Sequence, residues 1–194
     1  MSNRPKLLLP TGLLVGTLGL STLAVQAVGA IQGRQPAIAA HGPDAPAWLS
    51  VPTAGIEEQV IDAQGLTAQG VIDPDQGEAI WYSGTNRAVP GQLGTAVIAA
   101  HMVYYEEPDV FADLGEVTEG DIVTIGYRNG STREFVITDT MQLSKKGTQT
   151  SPEVWDDQQD VARIALITCD DSLGERADGH RNANFVAIAE ALEE

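Results

Sequence analysis

The sequence predicts an all-β domain, a small closed or nearly closed barrel, preceded by an apolar N-terminal segment. Three observations carry this. Short runs rich in β-branched residues recur at close intervals between Gly and Pro turns. Two of them, Thr95-Ala-Val-Ile-Ala-Ala100 and Ile164-Ala-Leu-Ile-Thr168, are continuously apolar, as strands buried on both sides require. Sustained helical periodicity is scarce, and no internal repeat is visible.

Taken in order, Met1 to Lys6 is short and cationic, and Leu7 to Ile31 contains no charge. About 20 apolar residues cross a bilayer, so the run is long enough to be an uncleaved anchor, residues 1–31. Val25-Gln-Ala27 and Val28-Gly-Ala30 are the sites a signal peptidase could use instead. Arg4 and Lys6 on the N-terminal flank orient the start inward and the body outward. Residues 32–47 (QGRQPAIAAHGPDAPA) read as a Pro/Ala/Gly-rich linker. The folded domain is expected over 48–194, opening on Trp48-Leu-Ser-Val-Pro52.

Within it, Asp121 to Arg128 and Ser131 to Thr138 flank Asn129-Gly130, the signature of a hairpin with a type I′ turn. Phe111 to Leu114 suits a helical turn. Asn184 to Leu192 suits a strand by Phe185, Val186 and Ile188, and a helix by its Ala and Glu residues.

Charge narrows the partners. Three of the eleven Lys+Arg and none of the 27 acids precede residue 38, so the remainder carries −19. Such a field repels nucleic acid and anionic lipid, and it favours either a solvated acidic surface or a basic, amine-bearing partner.

Cys169, the single cysteine, closes the apolar run Val161-Ala-Arg-Ile-Ala-Leu-Ile-Thr-Cys169 and precedes Asp170 and Asp171. A lone thiol forms no internal disulfide, so its alternatives are a buried core residue and a nucleophile. His101 stands where the run ending at Ala100 emerges, held yet within reach of solvent, as a proton shuttle must be. His41 falls in the linker and His180 in a polar loop. The order His then Cys, with neither local signature present, excludes papain-like and caspase-like sites. Ligand spacing for zinc or calcium and a Gly-rich phosphate loop are also absent.

Leu166-Ile-Thr-Cys169 matches most of the Thr-Leu-x-Thr-Cys signature of sortases, with Ala165 in place of the first Thr. Val51 to Ile56 resembles the opening strand of that family, and Trp81 to Gly84 with Pro90 to His101 resembles its approach to the catalytic histidine. Val110 to Val123 resembles the stretch that follows. The likeness spans roughly residues 48–192 and is closest in style to actinobacterial class E and class F sortases. It implies a closed β-barrel of about eight strands with short helical turns, no cofactor and no metal.

It further implies an extracytoplasmic cysteine transpeptidase at the plasma membrane. Such an enzyme cleaves a motif like Leu-Pro-x-Thr-Gly or Leu-Ala-x-Thr-Gly and transfers the acyl group to an amine of peptidoglycan or a pilin. Cys169 is then the nucleophile, His101 the acid–base and Thr168 a substrate contact. The catalytic arginine is Arg181 or Arg176, with Arg181 the better match because it lies nearest the final strand. Residues 144–159 take the place of the family's specificity loop, polar and suited to a mobile rim. The same triad with water as acceptor gives a hydrolase, and an unproductive triad gives a binding module.

Overall fold

The computed structural model describes residues 42–84, 87–177 and 180–192. The proposed anchor, most of the linker and His41 lie outside them. Ten strands are present: β1 (Pro46–Val51), β2 (Ile56–Gln64), β3 (Ala79–Tyr82), β4 (Gly94–Ala100), β5 (Val103–Tyr104), β6 (Glu107–Pro108), β7 (Ile122–Tyr127), β8 (Thr132–Ser144), β9 (Ala162–Glu175) and β10 (Arg181–Ala191). Eight of them close into a barrel in the order β1-β2-β3-β4-β9-β10-β8-β7, and β5 and β6 form a separate two-stranded hairpin. The all-β class, the closure and the strand number are those the sequence predicts. The first strand begins at Pro46, two residues before Trp48.

Alternation sorts the side chains. On β4, Ala96, Ile98 and Ala100 point inward to the main core, while Val97 joins a second apolar cluster on the outer face. On β9, Ile164 and Leu166 are inward, and Ala165 and Ile167 outward. On β10, Phe185, Ala187 and Ala189 are inward, and Val186 and Ile188 outward. These three neighbouring strands are buried on both faces, which is why their sequences lack a period of two. Burying strands that are apolar on both faces settles the last segment as strand: β10 pairs with both β8 and β9 over most of its length.

The hairpin β7–β8 forms where Asn129-Gly130 placed it, but with a different turn. Gly130 N–H donates to Tyr127 O at 2.9 Å, and only Gly130 of the pair has positive φ, at 85°. Asn129 instead uses its side chain, accepting from Ser131 N at 2.8 Å and donating to Asp44 Oδ1 at 2.9 Å. That local acceptor role competes with the left-handed conformation a type I′ turn needs. On the facing strand, Trp48 lies across Gly126, where a Cβ would meet the indole at 1.9 Å.

Residues 144–159 hold helix rather than loop alone. Ser144 caps α1 (Lys145–Thr150) by accepting from Gly147 N, and Pro152 opens α2 (Pro152–Trp155). Val154 is fully buried in the outer cluster. Trp155 donates to Thr148 O at 2.6 Å, and Arg87 lies over its ring at 5.6 Å.

Asp121 ties the turn before β7 to the 3-10 turn Pro52–Ala54. It accepts from Thr118 N and Thr53 Oγ1, both at 2.7 Å. The Thr118 backbone N–H, then the Thr53 hydroxyl, holds this carboxyl below the ordinary carboxylate range. A lowered value stabilises the fold above the unfolded group's pKa, and that part is lost as pH falls through the folded value. Asp121→Asn should therefore lower the melting temperature at neutral pH, with the gap to wild type closing as pH falls below the ordinary carboxylate range. Thermal melts across that range check this; a gap that stays constant into acid would rule out the ionised carboxylate as its source.

Candidate active site

The parallel pairing of β4 and β9 builds the site. Its register runs from Gly94↔Ala162 to Ala99↔Ile167. Continued two residues past its last pair, that register brings position 101 level with position 169. Both positions follow the outward members of their strands, so both fall on the outer face, at the end of the cluster holding Val97, Ala165 and Ile167. Thr168, one residue before the cysteine, turns the other way. It is 4% exposed, and its hydroxyl donates to Ala100 O at 3.0 Å. The residue expected to touch substrate thus has its hydroxyl inside the barrel, where it fastens the end of β9 to the end of β4.

His101 is half-buried beneath two segments. Its Nε2 lies 2.8 Å from Pro74 O, and because a carbonyl only accepts, that nitrogen carries the proton. Asp73 Oδ1 stands 3.8 Å from the same nitrogen. The Tyr104 ring packs on the imidazole at 5.3 Å between centroids, tilted by 56°. Tyr104 is delivered by the β5–β6 hairpin, whose two connecting residues, Tyr105 and Glu106, have φ of 45° and 69°. Positive φ at both central positions is the type I′ geometry expected at Asn129-Gly130, formed here by residues that adopt it at a cost. Desolvation, then the negative charges of Tyr105, Asp75, Asp73 and Asp109, pushes the Tyr104 hydroxyl above its ordinary value.

Cys169 is half-buried, and Asn184 of β10 lies directly opposite it. Lys145 Nζ, at the start of α1, donates to Cys169 Sγ at 3.3 Å and also to Asn184 Oδ1. Asn184 in turn donates from Nδ2 to Thr148 Oγ1 at 3.1 Å. Lys145 and Asn184 escaped the sequence reading, although a signal existed. Lys145 and Lys146 are the only basic residues between Arg133 and Arg163 in a chain with few cations.

The two acids after the cysteine are engaged elsewhere. Asp170 accepts from Ser172 N at 2.9 Å and Gln142 Nε2 at 3.4 Å. Asp171 pairs with Arg181 Nε, and Arg181 Nη1 meets Glu175 Oε2 at 2.7 Å. Arg181 is thereby held at the tip of the β9–β10 pair, where it faces Glu175. Its Cα lies about 10 Å further along the strand than Asn184, at roughly 3.3 Å per residue. Arg176, the other candidate, belongs to the same tip, and its N–H donates to His180 O at 2.7 Å. Cys169 and Asn184 thus lie on the adjacent strands β9 and β10, flanked by His101 just past the end of β4 and Lys145 just past the end of β8, with both arginines beyond that row.

Comparison with known proteins agrees with this architecture. The structure resembles sortase A of Listeria monocytogenes, with 17% identity over 78% of this chain and 89% of that one, and a TM-score of 0.55. It also resembles the SrtA sortase of Actinomyces oris, at 21% identity over 78% and 82% of the two chains and a TM-score of 0.56. A lid mutant of sortase A from Corynebacterium diphtheriae matches at 19% identity, 90% and 83% coverage and a TM-score of 0.56. A search of curated protein sequences finds no match. The family profile described as "Sortase domain" matches residues 49–192, the whole barrel from the first strand to the last. With the barrel, the strand-end cysteine and the histidine beside it in place, the chain belongs to the sortase family, the cysteine transpeptidases.

Proposed function

We propose that this sortase cleaves a Leu-Pro-x-Thr-Gly-like or Leu-Ala-x-Thr-Gly-like sorting signal between Thr and Gly, with Cys169 as nucleophile and His101 as acid–base. The observation that carries the reading is the β4–β9 register, which brings the chain's one thiol and a strand-end imidazole to neighbouring positions on one outer face. The Cys169 thiol gives its proton to His101, the sulfur attacks the scissile carbonyl carbon, a C–S bond forms and the π pair moves to oxygen. Collapse of that intermediate breaks the C–N bond, and the departing amine takes a proton from His101. An incoming amine of peptidoglycan or a pilin then attacks the thioacyl carbon, gives its proton to His101 and releases the sulfur as thiolate.

His101 begins with Nε2–H on the Pro74 carbonyl. Residues 72–75 must therefore yield this bond before Nε2 can exchange a proton with substrate, or the exchange runs through Nδ1 instead. Arg181 is proposed to hold the peptide or its oxyanion, exchanging Asp171 and Glu175 for the substrate carbonyl. The apolar outer face beside Cys169, with Ile167 and Leu143, suits the hydrophobic start of a sorting signal. The charge-free run Leu7–Ile31 supports attachment to the plasma membrane with the barrel outside.

Cys169→Ala should abolish cleavage of a sorting-signal peptide, and His101→Ala should reduce it by about 10²–10⁴-fold, with melting temperatures little changed. Arg181→Ala should cost about 10²-fold or more; a silent Arg181→Ala with a dead Arg176→Ala would move that role to Arg176. With triglycine added, mass spectrometry should find the Thr carboxyl joined to glycine nitrogen. Free acid alone, at every triglycine concentration, would identify a hydrolase.

A further inference from the structure

We propose that Lys145 is a catalytic residue: its ammonium holds Cys169 as the thiolate and releases the sulfur as negative charge passes to the substrate carbonyl. The proposal rests on the assignment of Cys169 as nucleophile. Three observations carry it. Lys145 Nζ lies 3.3 Å from Sγ. Among the described residues, it is the charged group whose contact with the sulfur is direct. And the ammonium is aimed rather than merely near, because a chain of fixed bonds points it.

That chain starts in α1. Thr148 is 5% exposed and accepts from Asn184 Nδ2, which orients the amide so that Oδ1 faces Lys145. Asn184 itself is set opposite Cys169 by the β9–β10 register. Ser144, capping α1, fixes the backbone from which Lys145 springs. Among the described residues, the ammonium's other hydrogen-bond partner is the neutral Asn184 Oδ1, so its charge acts on Sγ. The acids that oppose a thiolate are turned aside, Asp170 to Gln142 and Ser172, and Asp171 to Arg181. An opposite charge within about 4–6 Å favours the ionised form of its neighbour. No proton need leave the lysine: when the C–S bond forms, the sulfur loses its charge and Asn184 retains the ammonium.

The test uses the 194-residue chain, in which any thiol alkylation reports Cys169 alone because it holds no other cysteine. Iodoacetamide labelling at neutral pH, peptide turnover and thermal melting are measured for wild type, Lys145→Gln, Lys145→Met and Cys169→Ala. Both neutral variants should label about tenfold more slowly, the effect of losing one opposite charge. Both should also turn over at least tenfold more slowly, while their melting temperatures stay near wild type. If one fails to fold, the other decides. Asn184→Ala, which unanchors the ammonium, should lose labelling rate in the same direction by a smaller factor. Labelling at the wild-type rate in folded Lys145→Gln or Lys145→Met would overturn the role, whatever happens to turnover. Loss confined to the Met variant would also overturn it, since charge would not be the cause. Activity in Cys169→Ala is a separate failure, that of the transpeptidase reading itself.

Discussion

The parallel contact between β4 and β9 is the constraint on which the rest of the site depends. Parallel neighbours cannot be joined by a tight turn, so the chain between them must travel, and here it builds β5 to β8 and both helices on the way. His101 and Cys169, 68 residues apart, become neighbours only because the barrel closes in this order. The Thr168 hydroxyl on the Ala100 carbonyl fastens the two strand ends from inside, one residue before each functional side chain. A buried bond at that point limits relative sliding of the ends, and proton transfer is sensitive to displacements of about 1 Å.

The excess of acid elsewhere becomes a design problem at the cysteine. Two carboxylates follow the thiol directly, and a third, Glu175, lies at the same tip. The fold deals with them by pairing: Asp171 and Glu175 share Arg181, and Asp170 folds back on Ser172 N. The planar guanidinium suits this task, since its fork can serve two carboxylates at once. Exposed pairs of this kind add little to stability, so their effect is better sought in the local field than in the melting temperature.

The barrel was legible in the sequence because its inputs are local and redundant. Thr95–Ala100 and Ile164–Thr168 are apolar at every step, and strands buried on both faces leave that mark. Each run ends at a residue type able to carry acyl-transfer chemistry, which made Cys169 and His101 visible from the primary structure. What stayed hidden depends on contacts distant in sequence. Asn129-Gly130 signalled a hairpin correctly, yet Asp44, 85 residues away, accepts from the Asn129 side chain in a turn of another type. The helices within residues 144–159 rest on burial of Val154 against the outer barrel face, a contact that no window of polar residues displays. Lys145 and Asn184 meet across 39 residues, and neither belongs to a recognisable motif.

The two cations near Cys169 divide by chemistry as well as by place. Arg181 faces two carboxylates, so the group formed by all three is net negative, whatever the guanidinium contributes. Lys145 faces a neutral amide oxygen and a sulfur, so an ionised sulfur leaves its group neutral rather than negative. A flexible stem would ordinarily spread a lysine over many rotamers, at an entropic cost on ordering. Here the cost is met by α1, by Asn184 and by the buried Thr148, all part of the folded barrel before substrate arrives. Preorganisation of that kind is what lets one charge act on a reacting atom without reorganising during the reaction. The positive end of this site is therefore set by the strand register that pairs β10 with β9, just as its histidine is set by the register of β4 with β9.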